Sequence, residues 1–304
     1  MGLINIVGDT FYLRGGTNTG VYVFEDKSVM IIDAGRSGLK VNKIIRELKE
    51  NQFKLKYIVN THEHDDHTGA NYDLVNNYED VELMMSSESK LYVDNPELFS
   101  KYILGGKSNN IMDGKSKSKY KGKVKVNTVL DEGIKKIQNK EFKVVKLSGH
   151  TQGSIGIVTP DKIFFVGDSL IGSKLLAKYD FLFLYDIDSQ LKTLDKIEQV
   201  EFDKIIIGHG EQILDKQEAI SLIEKNRNAI YKYIKQTIDI LDKPSSIEAI
   251  LKTLIINNDL NYNYREYHYL KTSLISLISY LIDLEKIEHI FKDGELLYYN
   301  TQKY

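Results

Sequence analysis

The chain has 304 residues, of which 42% are hydrophobic and 28% charged, a balance that excludes wholesale disorder and leaves room for one large domain with an appendage or two ordinary domains. A formal charge of -2 excludes a global pull toward nucleic acid or membrane, so any such preference must be local. The absence of cysteine excludes disulfides and thiolate ligands, and any metal must be held by nitrogen and oxygen.

Met1 to Asp9 carries no basic stretch ahead of an apolar run and cleavage site, so it reads as a first strand rather than a signal peptide. Ile6 stands where a myristoylation signal needs Ser or Thr, and no apolar run nears the ~18 residues of a membrane span. The expectation is a cytoplasmic protein. Strands, each cut off by Gly, Asn or Asp, are predicted at Gly20 to Glu25, Val29 to Ile32, Tyr57 to Asn60 and Val81 to Met85, with helices at Val41 to Glu50 and His67 to Tyr78. The segment 86–125 contains Asn95-Pro96 and Gly105-Gly106 and is the expected specificity determinant. Its end alternates Lys115, Lys117, Lys119, Lys121, Lys123 and Lys125 with Ser, Tyr, Gly and Val. That alternation reads as a solvated loop running into a lysine-protected edge strand, or else as a basic lip that draws in an anionic substrate.

Further strands follow at Phe142 to Leu147, Ser154 to Thr159, Lys162 to Val166 and Lys204 to Ile207, with Pro160-Asp161 turning a hairpin. Interleaved strands and helices put the chain in the α/β class. After about residue 215 the pattern becomes helical, with Gln217 to Leu241, a helix capped by Ser245 with Glu248 as its capping-box partner, and Arg265 to Lys286. A hairpin closes the chain, Ile287 to Phe291 and Leu296 to Tyr299 across Asp293-Gly294. The predicted division is therefore residues 1–215 as the site-bearing domain and 216–304 as a helical, winged-helix-like one, which offers a surface for oligomerisation.

Five of the seven histidines and two aspartates fall just past apolar runs, in His62-Glu63-His64-Asp65-Asp66-His67, Gly149-His150-Thr151, Gly167-Asp168-Ser169 and Gly208-His209-Gly210. Any one of these histidines alone reads as a core or surface residue with a satisfied hydrogen bond. Together, each beside a strand end, they read as a ligand set. His62 and His64 are two apart in extended chain and point to one side, so they can share a cation. Asp66 and His67 follow where the chain turns into a helix, which aims them at a neighbouring point. If the four strand ends meet at one rim, His62, His64, Asp66, His67, His150, Asp168 and His209 converge. His268 and His289 lie in the helical tail and terminal hairpin and read as structural.

At these residues the sequence resembles the metallo-β-lactamase superfamily of metallohydrolases. The motif His-x-His-x-Asp-His stands intact as His62, His64, Asp66 and His67, and the later family motifs match His150, Asp168 and His209; Asn18 and the Ile32-Asp33-Ala34-Gly35 turn match as well. The resemblance covers roughly residues 1–215 and implies an αββα sandwich with metals at one edge. It also implies that His62, His64 and His150 hold one metal, that Asp66, His67 and His209 hold the other, and that Asp168 bridges them. The helical tail resembles the winged-helix-like module of a branch that includes a mitochondrial endoribonuclease.

Two divalent cations opposed by Asp66 and Asp168 leave a net positive centre that favours a metal-bridging hydroxide. Asp66 is the expected catalytic residue, orienting that nucleophile, with Asp33 and Thr151 orienting ligands and Glu63 and Asp65 facing solvent or supporting. Zinc is the expected metal, with iron or manganese compatible with the same donors. The leading reading is a hydrolase of a small anionic ester, thioester or lactone. A metal-dependent phosphodiesterase or endoribonuclease, with RNA as partner, is the second. It is weakened by a tail whose residues 215–304 carry twelve Lys and Arg against thirteen Asp and Glu. A non-catalytic, metal-stabilised interaction protein is the third.

Overall fold

The computed structural model describes residues 2–113, 122, 124–210 and 213–302. Its first sheet runs in chain order through β1 (Ile4–Val7), β2 (Thr10–Leu13), β3 (Thr19–Val23), β4 (Ser28–Ile32), β5 (Lys54–Val59), β6 (Glu82–Met85) and β7 (Thr128–Val129). The strands to β4 pair antiparallel, and β4 to β7 run parallel. The second sheet contains β8 (Gly133–Ile137), β9 (Lys140–Lys146), β10 (Ile155–Val158), β11 (Ile163–Phe165), β12 (Lys204–Ile206) and β13 (Ile213–Leu214), in the order β13-β12-β11-β10-β9-β8. Here β11 and β12 are parallel and the other neighbours antiparallel.

Alternation along the strands makes the layers, because successive side chains leave opposite faces of a pleat. In β4, Met30 and Ile32 pack inward against Phe142, Val144 and Phe165 of the second sheet. Their neighbours Val29 and Ile31 pack outward onto Val41, Ile44 and Leu48 of α1 (Leu39–Glu50) and Leu74. The short helices α2 (Asp65–Thr68), α3 (Asn71–Asn77), α4 (Ser87–Asp94), α5 (Glu97–Leu104) and α6 (Asn110–Asp113) follow on the first sheet's side of the chain, and α7 (Ser173–Leu176) and α8 (Ile187–Gln199) lie between β11 and β12. The result is the expected αββα sandwich.

Three helices, α9 (Lys216–Ile240), α10 (Ile247–Asn257) and α11 (Tyr264–Asp283), precede the hairpin β14 (Ile287–Lys292) and β15 (Glu295–Asn300). Asp293 and Gly294 turn that hairpin with φ of 51° and 83°, the positive pair that a two-residue turn of this twist requires. The outer face of the second sheet, including Val145, Phe164 and Ile205, forms one continuous cluster with Leu194 of α8, Leu222 and Ile230 of α9, Leu251 of α10 and Leu277 of α11. The tail is packed into the core of the sandwich. No helix among the described residues is long and apolar enough to cross a membrane.

Two local expectations are corrected. The helix predicted from His67 to Tyr78 is broken into α2 and α3, because the Ala70 N–H donates across to Gly35 O at 2.8 Å. The cap of α10 is Ser246, whose side chain accepts from Ala249 N, and not Ser245. Ser245 instead exchanges backbone hydrogen bonds with Tyr298 of the hairpin at 2.9 and 3.0 Å, and Glu248 pairs with Lys271 at 2.7 Å. A true capping box starts α9, where Asp215 and Glu218 satisfy each other's backbone N–H groups.

Candidate metal centre and its cleft

The strands β9, β11 and β12 all point the same way across the second sheet, so the turns after them share one rim. That rim is tied to the end of β5. Ile155 N donates to Thr61 O at 2.8 Å, Asn18 N donates to Gly208 O at 2.8 Å, and the Asn18 amide reaches Ile207 O at 3.1 Å and Gly210 O at 2.8 Å. All seven residues singled out from the sequence therefore meet in one place. One ligand-type atom from each of His62, His64 and His150 lies within 4.8 Å of the others, as does one from each of Asp66, His67 and His209, and one from each of His62, His67 and Asp168. The glycine of Gly208-His209 is obligatory here, since a Cβ at Gly208 would overlap Asp168 Oδ1 and stand 2.9 Å from His67 Cε1.

The imidazoles are oriented from behind. His67 Nδ1 lies 2.8 Å from Asp33 Oδ2, whose carboxylate also accepts from Thr61 N at 2.8 Å and Thr61 Oγ1 at 2.7 Å. His150 Nδ1 faces Phe183 O at 3.0 Å and His209 Nδ1 faces Gly16 O at 2.5 Å. With a backbone carbonyl on Nδ1, the proton sits there and Nε2 is left as the inward donor atom. His150 Nε2 then lies 3.0 Å from His64 Nδ1. Asp168 presents Oδ1 at 3.4 Å from His67 Nε2 and Oδ2 at 3.2 Å from His209 Nε2. Asp66 Oδ2 is 3.3 Å from His209 Nε2 and 3.9 Å from Arg36.

This donor set fits divalent cations on an observation independent of any motif. His62 Nε2 is buried with no hydrogen-bond partner, and His67 Nε2 and Asp168 Oδ1 make no hydrogen bond of proper geometry, only a 3.4 Å approach to each other. That is a costly state for polar atoms, and the nitrogen and carboxylate donors are those that bind zinc, iron or manganese. Without a metal the charge divides. Burial holds His62 well below the ordinary imidazole range and pushes His64 and His150 down to about 4. Burial acts the same way on the other two, but Asp168 and Asp33 outweigh it at His67, held well above its ordinary value, and Asp168 and Asp66 raise His209 to about 10. Asp168 is in turn held well below the carboxylate range, where its own burial is overcome by His67 and His209.

Glu63, expected either to face solvent or to support the ligands, is buried. It accepts from Ser89 Oγ at 2.8 Å and Thr151 Oγ1 at 3.0 Å, and burial pushes its carboxyl up. It thereby fastens the start of α4 to the turn that carries His150.

Beside the His64 and His150 rings opens a cleft of 670 Å³. One wall comes from the 86–113 part of the segment expected to set specificity, through Tyr92, Pro96, Phe99 and Met112. Lys115, Lys117, Lys119, Lys121 and Lys123 lie outside the described residues. The facing wall was not anticipated: it is the first turns of α11, with Arg265, Glu266 and Tyr269, joined by Phe183. Phe99, Phe183 and Tyr269 pack together with centroids 5.6 to 6.2 Å apart, Phe183 edge to face with each of the others and Phe99 tilted against Tyr269, and Phe99 stands 5.1 Å from the His64 ring. Arg36 lies at the Asp66 end. Only the helical amphipathicity of α11 was visible in sequence, and that pattern marks its core face rather than the turn that enters the cleft.

Comparison with known proteins agrees with the fold. A family model described as "Metallo-beta-lactamase superfamily" matches residues 12–209. A probable metallo-hydrolase of Methanocaldococcus jannaschii is 27% identical over 64% of this chain and 89% of its own. A hydroxyacylglutathione hydrolase of Vibrio vulnificus is 25% identical over 79% of this chain and 80% of its own. Among solved structures, a β-lactamase domain protein from Burkholderia ambifaria superposes with a TM-score of 0.76 and 14% identity, covering 98% of this chain and 93% of that one. The shared fold thus takes in the C-terminal helices.

Proposed function

This chain belongs to the metallo-β-lactamase superfamily and is a metal-dependent hydrolase, and from that premise we propose that it holds two cations and cleaves a small ester, thioester or lactone. The observation that carries the reading is the cleft: a molecule-sized space set directly against the His64 and His150 rings, aromatic on one side and with arginine at two points. A long polyanion would need a groove with excess positive charge, whereas Arg36 and Arg265 share this lining with Glu63, Asp65, Asp66 and Glu266. Relatives named hydroxyacylglutathione hydrolases favour the thioester among the three, since an acylglutathione is one.

In this reading His62, His64 and His150 would hold one cation and Asp66, His67 and His209 the other, with Asp168 available to both. Divalent cations held there, zinc first among them, supply Lewis acidity and a water acidified enough to ionise near neutral pH. Asp66 lines the cleft, where its carboxylate would orient the attacking water. Asp33 and the Gly16 and Phe183 carbonyls fix the imidazole tautomers. Phe99, Phe183 and Tyr269 exclude solvent around the scissile group, and Arg36 or Arg265 receives an anionic substituent. Residues 1–215 carry the cation-binding side chains, and residues 216–304 close the cleft over them.

The test is metal analysis of the purified full chain together with a panel of acylglutathiones, aryl esters, lactones and phosphodiesters, on wild type and on Phe99→Ala and Tyr269→Ala. Expected are two cations per chain, preference for acyl substrates, and loss of kcat/KM in both variants by about tenfold or more at unchanged metal content. Preference for the phosphodiester, or two bound cations with no turnover of any panel member, would sink the acyl-hydrolase reading.

A further inference from the structure

Lys40 opens α1 with its side chain turned inward, where burial lowers its ammonium to about 8. Its Nζ donates to Leu13 O at 3.2 Å and Thr17 O at 3.0 Å. The stem threads between two glycines: a Cβ would stand 2.9 Å from Nζ at Gly15 and 3.0 Å from Cγ at Gly35. A half-buried cation bonded to backbone carbonyls is a costly way to close a loop, so what the loop does matters.

The 13–17 loop and the Gly35 turn together touch every member of one half of the centre. Gly16 O faces His209 Nδ1 at 2.5 Å, Thr17 Oγ1 donates to Asp66 O at 2.6 Å, and Gly35 N donates to His67 O at 3.0 Å. None of these contacts reaches His62, His64 or His150. Lys43, one turn along α1, adds a bond from its Nζ to Arg14 O at 2.8 Å, which leaves the far side of the loop anchored whatever happens at Lys40.

We propose that Lys40 is a positioning residue for the Asp66, His67 and His209 half of the centre: by closing the 13–17 loop against α1 and the Gly35 turn, it sets the affinity of the second cation independently of the first. The proposal rests on the two-cation reading given above. A partner that orients a ligand from behind commonly contributes about 10–100-fold to metal affinity. Here the contribution falls on one cation of two.

The full-length chain is stripped with a chelator and titrated with Zn²⁺ and with Co²⁺, following stepwise dissociation constants and the visible spectrum of bound cobalt. Lys40→Met keeps the stem but has no donor, and Thr17→Val removes the hydroxyl bond to Asp66 O while leaving Lys40 in place. In Lys40→Met the first cation is expected to bind as in wild type, with the second weakened about tenfold or more and its cobalt bands altered. Thr17→Val should move the second constant in the same direction by less. If Lys40→Met does not fold, Gly15→Ala, whose Cβ would stand 2.9 Å from Lys40 Nζ and displace it from the loop, decides the matter by weakening the second cation alone, and wild-type affinity there overturns the proposal. Wild-type second-cation affinity in both variants, or equal weakening of both cations in Lys40→Met, would overturn the proposal. A wild-type protein that takes up a single cation fails the two-cation reading itself, before any variant is compared.

Discussion

The two halves of the centre use similar side chains but are braced from opposite ends of the chain. Around His150, support comes from the C-terminal side: Phe183 O holds the ring, and the strand of chain that carries Phe183 is fastened to α11 by Ser273, which accepts from Leu184 N at 3.2 Å, and by Ser276, which accepts from Ile187 N at 3.2 Å. Asp180 ties the same stretch to α9, accepting from Tyr233 at 2.6 Å and pairing with Lys232. Around Asp66, His67 and His209, support comes from the N-terminal loop, Asp33 and Lys40. The first half is also neutral without metal, whereas the second is a set of imidazolium–carboxylate pairs. The segment 62–67 serves both halves, but His150 and His209 are braced from different parts of the chain, and disturbances far apart in sequence should separate them.

The bluntest way to break the comparison is removal of residues 216–304. It would bare Leu194, Ile205, Leu214 and their neighbours, whose burial contributes about 1.5–3 kcal/mol each, and the expected result is no soluble folded product in expression and circular dichroism. Survival of a folded 1–215 fragment would show that the bracing of His150 is dispensable. Next in size, His150→Ala and His209→Ala should each lose one cation by elemental analysis and lower kcat/KM by more than the ~10–100-fold typical of an outer hydrogen-bond partner. Retention of both cations, or loss of both, in either variant would contradict two separately held halves. Ser273→Ala leaves the buried Leu184 N–H without its acceptor and should cost about 1–3 kcal/mol in denaturant unfolding, weakening the first cation and sparing the second.

The smallest effect is acid-dependent. Asp180 is partly buried, which by itself would raise its carboxyl, but Lys232 and Tyr233 hold it below the usual range. A carboxylate depressed in the folded state adds stability above its unfolded value near 4 and loses it as pH falls through the folded one. Asp180→Asn should therefore flatten the acid limb of stability below about pH 4 and leave its neutral-to-alkaline course unchanged, as measured by thermal melts across pH.

Much of the sandwich and the composition of the rim could be read from residues alone, because apolar runs cut off by polar residues, as Val29 to Ile32 is by Asp33, and short histidine spacings after strands are local signals. The breaks were also local in origin but decided elsewhere. Ala70 left the helical pattern for a bond to Gly35, and Ser245 surrendered the cap to Ser246 because the hairpin claimed its backbone. The cleft was less legible still. Phe99, Phe183 and Tyr269 are far apart in sequence and carry no spacing in common, and the lysine alternation that drew attention beforehand belongs mostly to residues outside those described. Lys40 stood just ahead of the helix predicted from Val41 and looked like any charged residue. Its burial depends on Gly15 and Gly35, which make room for the stem only when the loop and the turn are folded together.

The backbone bonds that cross the rim, from Ile155 to Thr61 and from Asn18 to Gly208, have a mechanical consequence. They pin the two sheets together at the edge where the histidines meet, so any breathing of the sandwich must hinge there and open at the far edge. In hydrogen-exchange terms the amides of Ile155 and Asn18 can be released only by parting the sheets, and they should exchange with the slowest class in the molecule.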